Sequence, residues 1–406
     1  MLIEILWIVL ALFIGIICGT LSGITPGIHI NLISAILLSL SALLMADYSI
    51  SPLAFIVFLV AMAMTHTFVD YIPSVFLGAP DEDNFLSILP GHEMLIKGQA
   101  HDAVVYTLYG SISALVIILI FTPLFIFFLP LAYPYAERIM PFILILASIF
   151  LIYFEKTSKI WAIIIFLLSG FLGLATFNLP LKESLLPLFT GLFGISSLIT
   201  SINKKQKVPK QTIKKLKSIK ISKESYFKSM FASILASPLC SFLPGMGSGQ
   251  AAVIGSEVVG DLNKKEFLVL LGSINTIVMG LSFITLFCIE KARTGVASAV
   301  GKIMPLTIQE IWIIIATMII SAILAFFITL FLSKKFSTII SKVNYKNLST
   351  AIISILLVIV FAFSGWLGLL VLIISSIVGL LCIYCGVRRT HLLGALIIPA
   401  IVLYLL

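Results

Sequence analysis

Continuous apolar runs of about 15–25 residues alternate with short polar joints along the whole chain, the length a bilayer-crossing helix needs. The first apolar region, 3–46, is broken in its middle by Gly19 to Asn31 (GTLSGITPGIHIN). A span follows at 52–69, then a stretch at 70–102 too polar to cross, which is read as a loop dipping back into the protein. Further spans are expected at 103–130, 140–154, 160–176 and 185–202. A lysine-rich stretch, 203–224, separates these from a second broken region at 226–262, centred on Ser241 to Gln250 (SFLPGMGSGQ). Spans at 266–290, 306–333, 349–364, 366–386 and 391–405 complete the pattern, with a short polar insert between 290 and 306.

Each half thus holds one broken unit and five spans. A broken pair adds no net crossing and five is odd, so the second half must enter the membrane from the opposite side. The predicted fold is an all-α polytopic membrane protein of two inverted-topology repeats, each a Pro-Gly-broken helix pair or hairpin plus five spans. The repeats are 1–202 and 225–406, joined by the linker 203–224.

Composition supports the class. Sixty per cent of the 406 residues are hydrophobic and 11% charged, with a mean hydropathy of +1.20. A soluble domain is excluded on that ground, and runs this long do not fit the short alternating strands of a β-barrel. The net charge of +9 does not point to nucleic acid, because nine lysines fall between Lys204 and Lys223. A lysine block between apolar spans is a cytoplasmic loop under the positive-inside rule. With that loop inside, 21 of the 26 Lys and Arg residues fall inside, and both termini fall outside a cell membrane crossed many times. The N-terminus lacks a basic leader and carries Glu4 before its apolar run, so no cleaved signal peptide is expected. The five cysteines read as small buried hydrophobes; no metal set is expected.

The candidate chemistry gathers at the two breaks. Gly23, Pro26 and Gly27 in the first, and Pro244, Gly245 and Gly247 in the second, interrupt helical pairing inside apolar sequence. Freed backbone groups are tolerated at that depth only where protein covers them or a wet cavity lies beside them. Thr25, His29 and Asn31 surround the first break; Ser248 and Gln250 follow the second, and Asn275 lies on the next span. Helices beginning after each Pro-Gly would aim positive ends at a carboxylate or phosphate. Carbonyls of the preceding helices could instead hold Na⁺. Ser22, Ser241 and Asp70 are candidates for ion coupling, although Asp70 near a membrane edge also reads as a solvated carboxylate, and His66 as buried and neutral. Lys291, Arg293 and Lys302, three of the five cations on the outer side, read as ordinary loop charges or as anion attractors. Glu257 and Asp261 are expected to pair locally with Lys264 and Lys265, and Asp81, Glu82 and Asp83 to be hydrated.

Enzyme signatures are absent. Gly245-Met-Gly247-Ser-Gly249 misplaces the serine of G-x-S-x-G, His92-Glu93 lacks the second histidine of H-E-x-x-H, and no Walker A sequence occurs. No enzymatic activity and no cofactor are expected beyond a coupling ion, Na⁺ or H⁺.

The order Gly19-x-x-x-Gly23-x-x-Pro26-Gly27, Leu77-Gly78-Ala79-Pro80, LPGHEMLIKGQAHDAV at 89–104 and LPGMGSGQAA at 243–252 resembles the large membrane subunit of tripartite tricarboxylate transporters. The resemblance covers most of the chain. It implies import of carboxylates driven by an ion gradient, with a small membrane subunit and an extracytoplasmic solute-binding protein as partners. It also implies that Gly23, Pro26, Gly27, Pro244, Gly245 and Gly247 form the site backbone. The chain departs from the family in its shorter length, in the region after Asn275, and in His29 and the Asp81–Asp83 cluster, so a stand-alone relative is also open. The expected function is ion-coupled transport of small organic anions by alternating access. Rivals are a carrier of polyprenyl-phosphate or another lipid phosphate, and an intramembrane enzyme or scaffold.

Overall fold

A computed structural model describes residues 2–26, 30–48, 51–78, 86, 88–153, 155, 157–181, 183–203, 208–242, 248–260 and 262–405. Among them every regular element is helical, and seven helices are long and apolar enough to cross a membrane.

The first broken region forms α1 (Leu2–Ile24) and α2 (Ile30–Tyr48), and the second forms α10 (Lys223–Phe242) and α11 (Ser248–Val259). α10 and α11 fold back on each other as a hairpin: a Cβ on Gly255 would lie 2.9 Å from the Ala232 carbonyl. Each pair is followed by a helix buried on nearly every side, α3 (Pro52–Val69) and α12 (Lys264–Ile289). A helix apolar all round belongs in the middle of a membrane bundle. Their starts are written locally. Ser51 caps α3 ahead of Pro52, and Asn263 with Glu266 forms a reciprocal capping box on α12.

The expected re-entrant stretch contains α4 (Tyr71–Leu77), buried up to Phe76, and α5 (Ile88–Ile96). α6 (Ala100–Tyr153) runs through the joint expected between 130 and 140. Four prolines, Pro123, Pro130, Pro134 and Pro141, lie inside it, because neighbouring helices can absorb the lost hydrogen bonds. α7 (Lys159–Phe177) follows as expected. The 185–202 segment divides into α8 (Leu185–Phe189), one turn of π-helix at Thr190–Ile195, and α9 (Ser196–Asn203). In the second half come α13 (Gly295–Ile303), α14 (Ile308–Ile340), α15 (Tyr345–Tyr384) and α16 (Gly394–Leu405). α15 is broken at Gly365, where φ is +61°, between the two spans read from the sequence.

The packing crosses between the halves. α3 packs on α1 and α14, while α12 packs on α10 and α6. The α6–α12 crossing brings backbones into contact: a Cβ on Gly272 would lie 2.0 Å from the Thr107 carbonyl, and one on Gly110 equally close to that of Val269. Ser111 donates to the Gly272 carbonyl at 3.0 Å across the same crossing.

The described part of the linker is bound to the first half rather than loose. Gln211 accepts the Ala100 N–H and donates to the Leu95 carbonyl, Tyr109 donates to the Ile219 carbonyl, and Lys214 pairs with Asp102 at 2.5 Å.

Candidate substrate site

One short segment ties the two broken units together. Arg293 donates its Nε–H to the Cys240 carbonyl near the end of α10, at 2.7 Å. Two residues on, the Gly295 N–H at the start of α13 donates to Asn31 Oδ1, in the first turn of α2, at 2.8 Å. Between them Thr294 caps α13 and its hydroxyl meets that of Ser282 on α12 at 3.1 Å. Arg293 sits where helix electrostatics favour a cation, since the last carbonyls of α10 carry partial negative charge. α13 packs along α2, so the polar insert of the second half lies against the broken unit of the first.

The remaining predicted residues divide around this segment. Ser241 is fully buried; its hydroxyl donates to the Ser237 carbonyl, and its own carbonyl accepts the Thr285 hydroxyl at 3.0 Å. Ser248 is buried at the start of α11, and Asn275 is buried on α12 with its Nδ2 unpartnered among the described residues. A buried amide without a partner costs about 1–3 kcal/mol, so it marks either a ligand contact or a stability deficit. On the first side, buried Gly23 admits close approach of Val69 on α3, and Ser22 meets His66 Nδ1 at 2.9 Å.

His66 is buried as expected, but Asp70 is not the solvated carboxylate of the alternative reading. It is 4% exposed at the joint between α3 and α4, with its N–H bonded to the His66 carbonyl. The membrane-edge argument failed because the polar stretch after it folds into the protein as α4. Pro26 is half-buried. Thr25 is exposed, and its hydroxyl bonds back to the Leu21 carbonyl. Lys291 reaches Tyr133, bonding its hydroxyl at 2.9 Å, whereas Lys302 is exposed at the last turn of α13. Gly27, His29, Pro244, Gly245 and Gly247 lie outside the described residues, as do Asp81, Glu82, Asp83, Asp261 and the side chain of Gln250.

A second polar centre went unread in the sequence. Glu155, after α6, is 1% exposed at its side chain and binds His391 Nε2 at 2.7 Å, the Arg388 N–H at 3.1 Å and the Thr157 N–H at 2.9 Å. Burial pushes the Glu155 carboxyl up, but those hydrogen bonds outweigh it and hold it down at about 2. Arg388 also reaches Glu257 at 2.7 Å, while Lys264 pairs with Glu93. The expected local pairing of Glu257 with Lys264 is therefore corrected: each finds a partner from a distant element. In the sequence Arg388 and Arg389 are two of the 21 Lys and Arg residues expected inside, and a lone carboxylate between two spans gives Glu155 no visible partner.

What the arrangement offers chemically is anchored positive charge, helix ends and hydroxyls. Among the described residues no group of three or more His, Cys, Asp or Glu side chains is placed to hold a metal ion.

Residues 9–394 match the family model described as the tripartite tricarboxylate transporter TctA family. An uncharacterised protein of Methanocaldococcus jannaschii is 32% identical over 410 residues, covering 98% of both chains. No solved structure matches.

Proposed function

We propose that this chain, which belongs to the tripartite tricarboxylate transporter TctA family, carries small carboxylates across the cell membrane by alternating access, with the substrate held between its two interrupted helix pairs. The observation that carries this function is the bridge from Arg293 to Cys240 and from Gly295 to Asn31, which joins both broken units through one cationic segment. Interrupted helices facing each other near the midplane are the usual substrate site of secondary carriers built from repeats. The crossed packing, α3 on α14 and α12 on α6, supports two inverted repeats at 1–202 and 225–406. Coupling to Na⁺ or H⁺ supplies the driving force, and the buried Ser22, His66 and Asp70 are the first place to look for the ion. The family description supports a small membrane subunit and an extracytoplasmic solute-binding protein as partners. The charge bias supports a cytoplasmic linker with both termini outside.

The test is ligand-induced thermal stabilisation of the purified chain against carboxylates, inorganic phosphate and lipid phosphates, with and without Na⁺. A shift with citrate-like carboxylates that Gly27→Leu and Gly245→Leu each abolish is expected. A shift with lipid phosphate alone would replace the carboxylate with a lipid carrier as cargo.

A further inference from the structure

A cavity of about 320 Å³ lies at the far end of α11 from its interruption. Its walls include Glu93 of α5, Ser256 and Glu257 of α11, Lys264 of α12, and the consecutive pair Arg388 and Arg389. That volume is at the lower end of the range for small-molecule sites, about 300–1,000 Å³. Ser256 and Glu257 stand eight and nine residues beyond Ser248 on a single helix. At 1.5 Å per residue the cavity is therefore only about 12–14 Å from the interruption.

Among the described residues three cations and three carboxylates stand around it, but they do not pair one to one. Arg388 is matched by Glu155 and Glu257, and Lys264 by Glu93. Arg389 is left over. Among the described residues its Nη atoms donate to neutral acceptors: the Leu192 and Phe193 carbonyls at 2.8 Å and the hydroxyls of Ser196 and Ser197. No carboxylate among the described residues pairs with it, and its Nε is buried without a partner there, as is the neighbouring Thr390 hydroxyl.

The local backbone explains how the guanidinium is held. The π-helical turn at Thr190–Ile195 leaves carbonyls off the regular helical ladder; those of Leu192 and Phe193 accept from Arg389, whose guanidinium lies 5.1 Å from the Phe193 ring centre. Single π-turns within helices recur at functional sites. A guanidinium fixed by neutral groups keeps its full charge, and burial without a counter-ion is costly until an anion arrives.

We propose that this cavity is an oxyanion station on the linker side of the carrier, in which Arg389 takes one carboxylate of the cargo as it passes between the α10–α11 interruption and the aqueous phase. The identity of the cargo rests on the transport function proposed above; the anion chemistry of the cavity does not.

The experiment is isothermal titration of the detergent-solubilised full chain with citrate and, separately, with inorganic phosphate. Arg389→Gln is compared with Arg389→Lys, and with Ser256→Phe, which fills the cavity from α11 without touching the arginine. Affinity for both anions should fall at least tenfold in Arg389→Gln and Ser256→Phe and be largely restored in Arg389→Lys. Should Arg389→Gln fail to fold, Ser256→Phe decides. Affinities within twofold of wild type in the folded variants, or no oxyanion binding by wild type, would overturn the station. Uptake of citrate unaffected by both variants would remove the station and leave transport standing. Arg389-dependent phosphate binding by a chain that moves no carboxylate would do the reverse.

Discussion

Asn31 and Gly295 stand 264 positions apart, yet the Asn31 amide oxygen accepts the Gly295 N–H at 2.8 Å. The bond satisfies one of the first N–H groups of α13, which have no partner within the helix, while Thr294 accepts from Ala297 beside it. A side chain at the start of α2 thereby fixes where the cationic segment sits.

Replacing Asn31 with leucine leaves that N–H without its acceptor at a cost of about 1–3 kcal/mol and frees α13 from α2. Carboxylate uptake should fall at least tenfold in Asn31→Leu and survive in Asn31→Asp, which keeps an acceptor suited to a helix N-terminus. Uptake assays on matched amounts of membrane-inserted protein check this; wild-type rates in Asn31→Leu would contradict it.

Asn275 separates function from stability. Its Nδ2 is unpartnered among the described residues, so Asn275→Leu should hold or raise the melting temperature while reducing carboxylate binding. A variant that melts lower and binds normally would make Asn275 structural. Thermal melts with and without citrate read both quantities.

Gly272 and Gly260 form a contrasted pair. A Cβ at Gly272 would meet the Thr107 carbonyl at 2.0 Å, whereas Gly260, despite a φ of +81°, has nothing within 4 Å of such an atom. Gly272→Val should abolish recovery of monodisperse protein. Gly260→Ala should cost about 1–2 kcal/mol, for the left-handed backbone alone. Size-exclusion profiles after detergent extraction distinguish the two.

The Glu155 centre predicts acid sensitivity with a definite sign. Its carboxyl is held at about 2, below its ordinary 4.5, so the folded state gains stability above about pH 4.5 and loses it as pH falls toward 2. The most this group can contribute is about 3 kcal/mol. Glu155→Gln should lower the melting temperature at pH 7 and flatten its dependence between pH 5 and about 3. Melting curves as steep in pH as those of wild type would place the acid response elsewhere.

The sequence carried local signals well and distant pairings poorly. Ser51-Pro52 announces the start of α3, and Gly365 announces the division of α15, because each rests on the backbone preferences of one or two residues. The joint expected between 130 and 140 is absent: Pro130 and Pro134 ahead of Glu137 and Arg138 resemble a loop in sequence, although packed membrane helices tolerate proline. At the candidate site, Asn31 is legible as a polar group at a break in apolar sequence and Arg293 as a cation of the short polar insert, but nothing in the chain order announces that one segment touches both broken units. Glu155 was invisible because its partners, Arg388 and His391, are more than 230 residues away. Nearer charges misled in the same way, since Lys264 follows Glu257 by seven residues and pairs with Glu93 instead.

The most direct test is labelled-citrate uptake into proteoliposomes under an imposed Na⁺ or proton gradient, comparing wild type with Arg293→Gln. Accumulation above the equilibrium level that collapses with the gradient, and falls at least tenfold in Arg293→Gln, is the predicted result. Gradient-independent equilibration, or equal accumulation by both proteins, would contradict a carrier whose substrate lies between the two interrupted helix pairs.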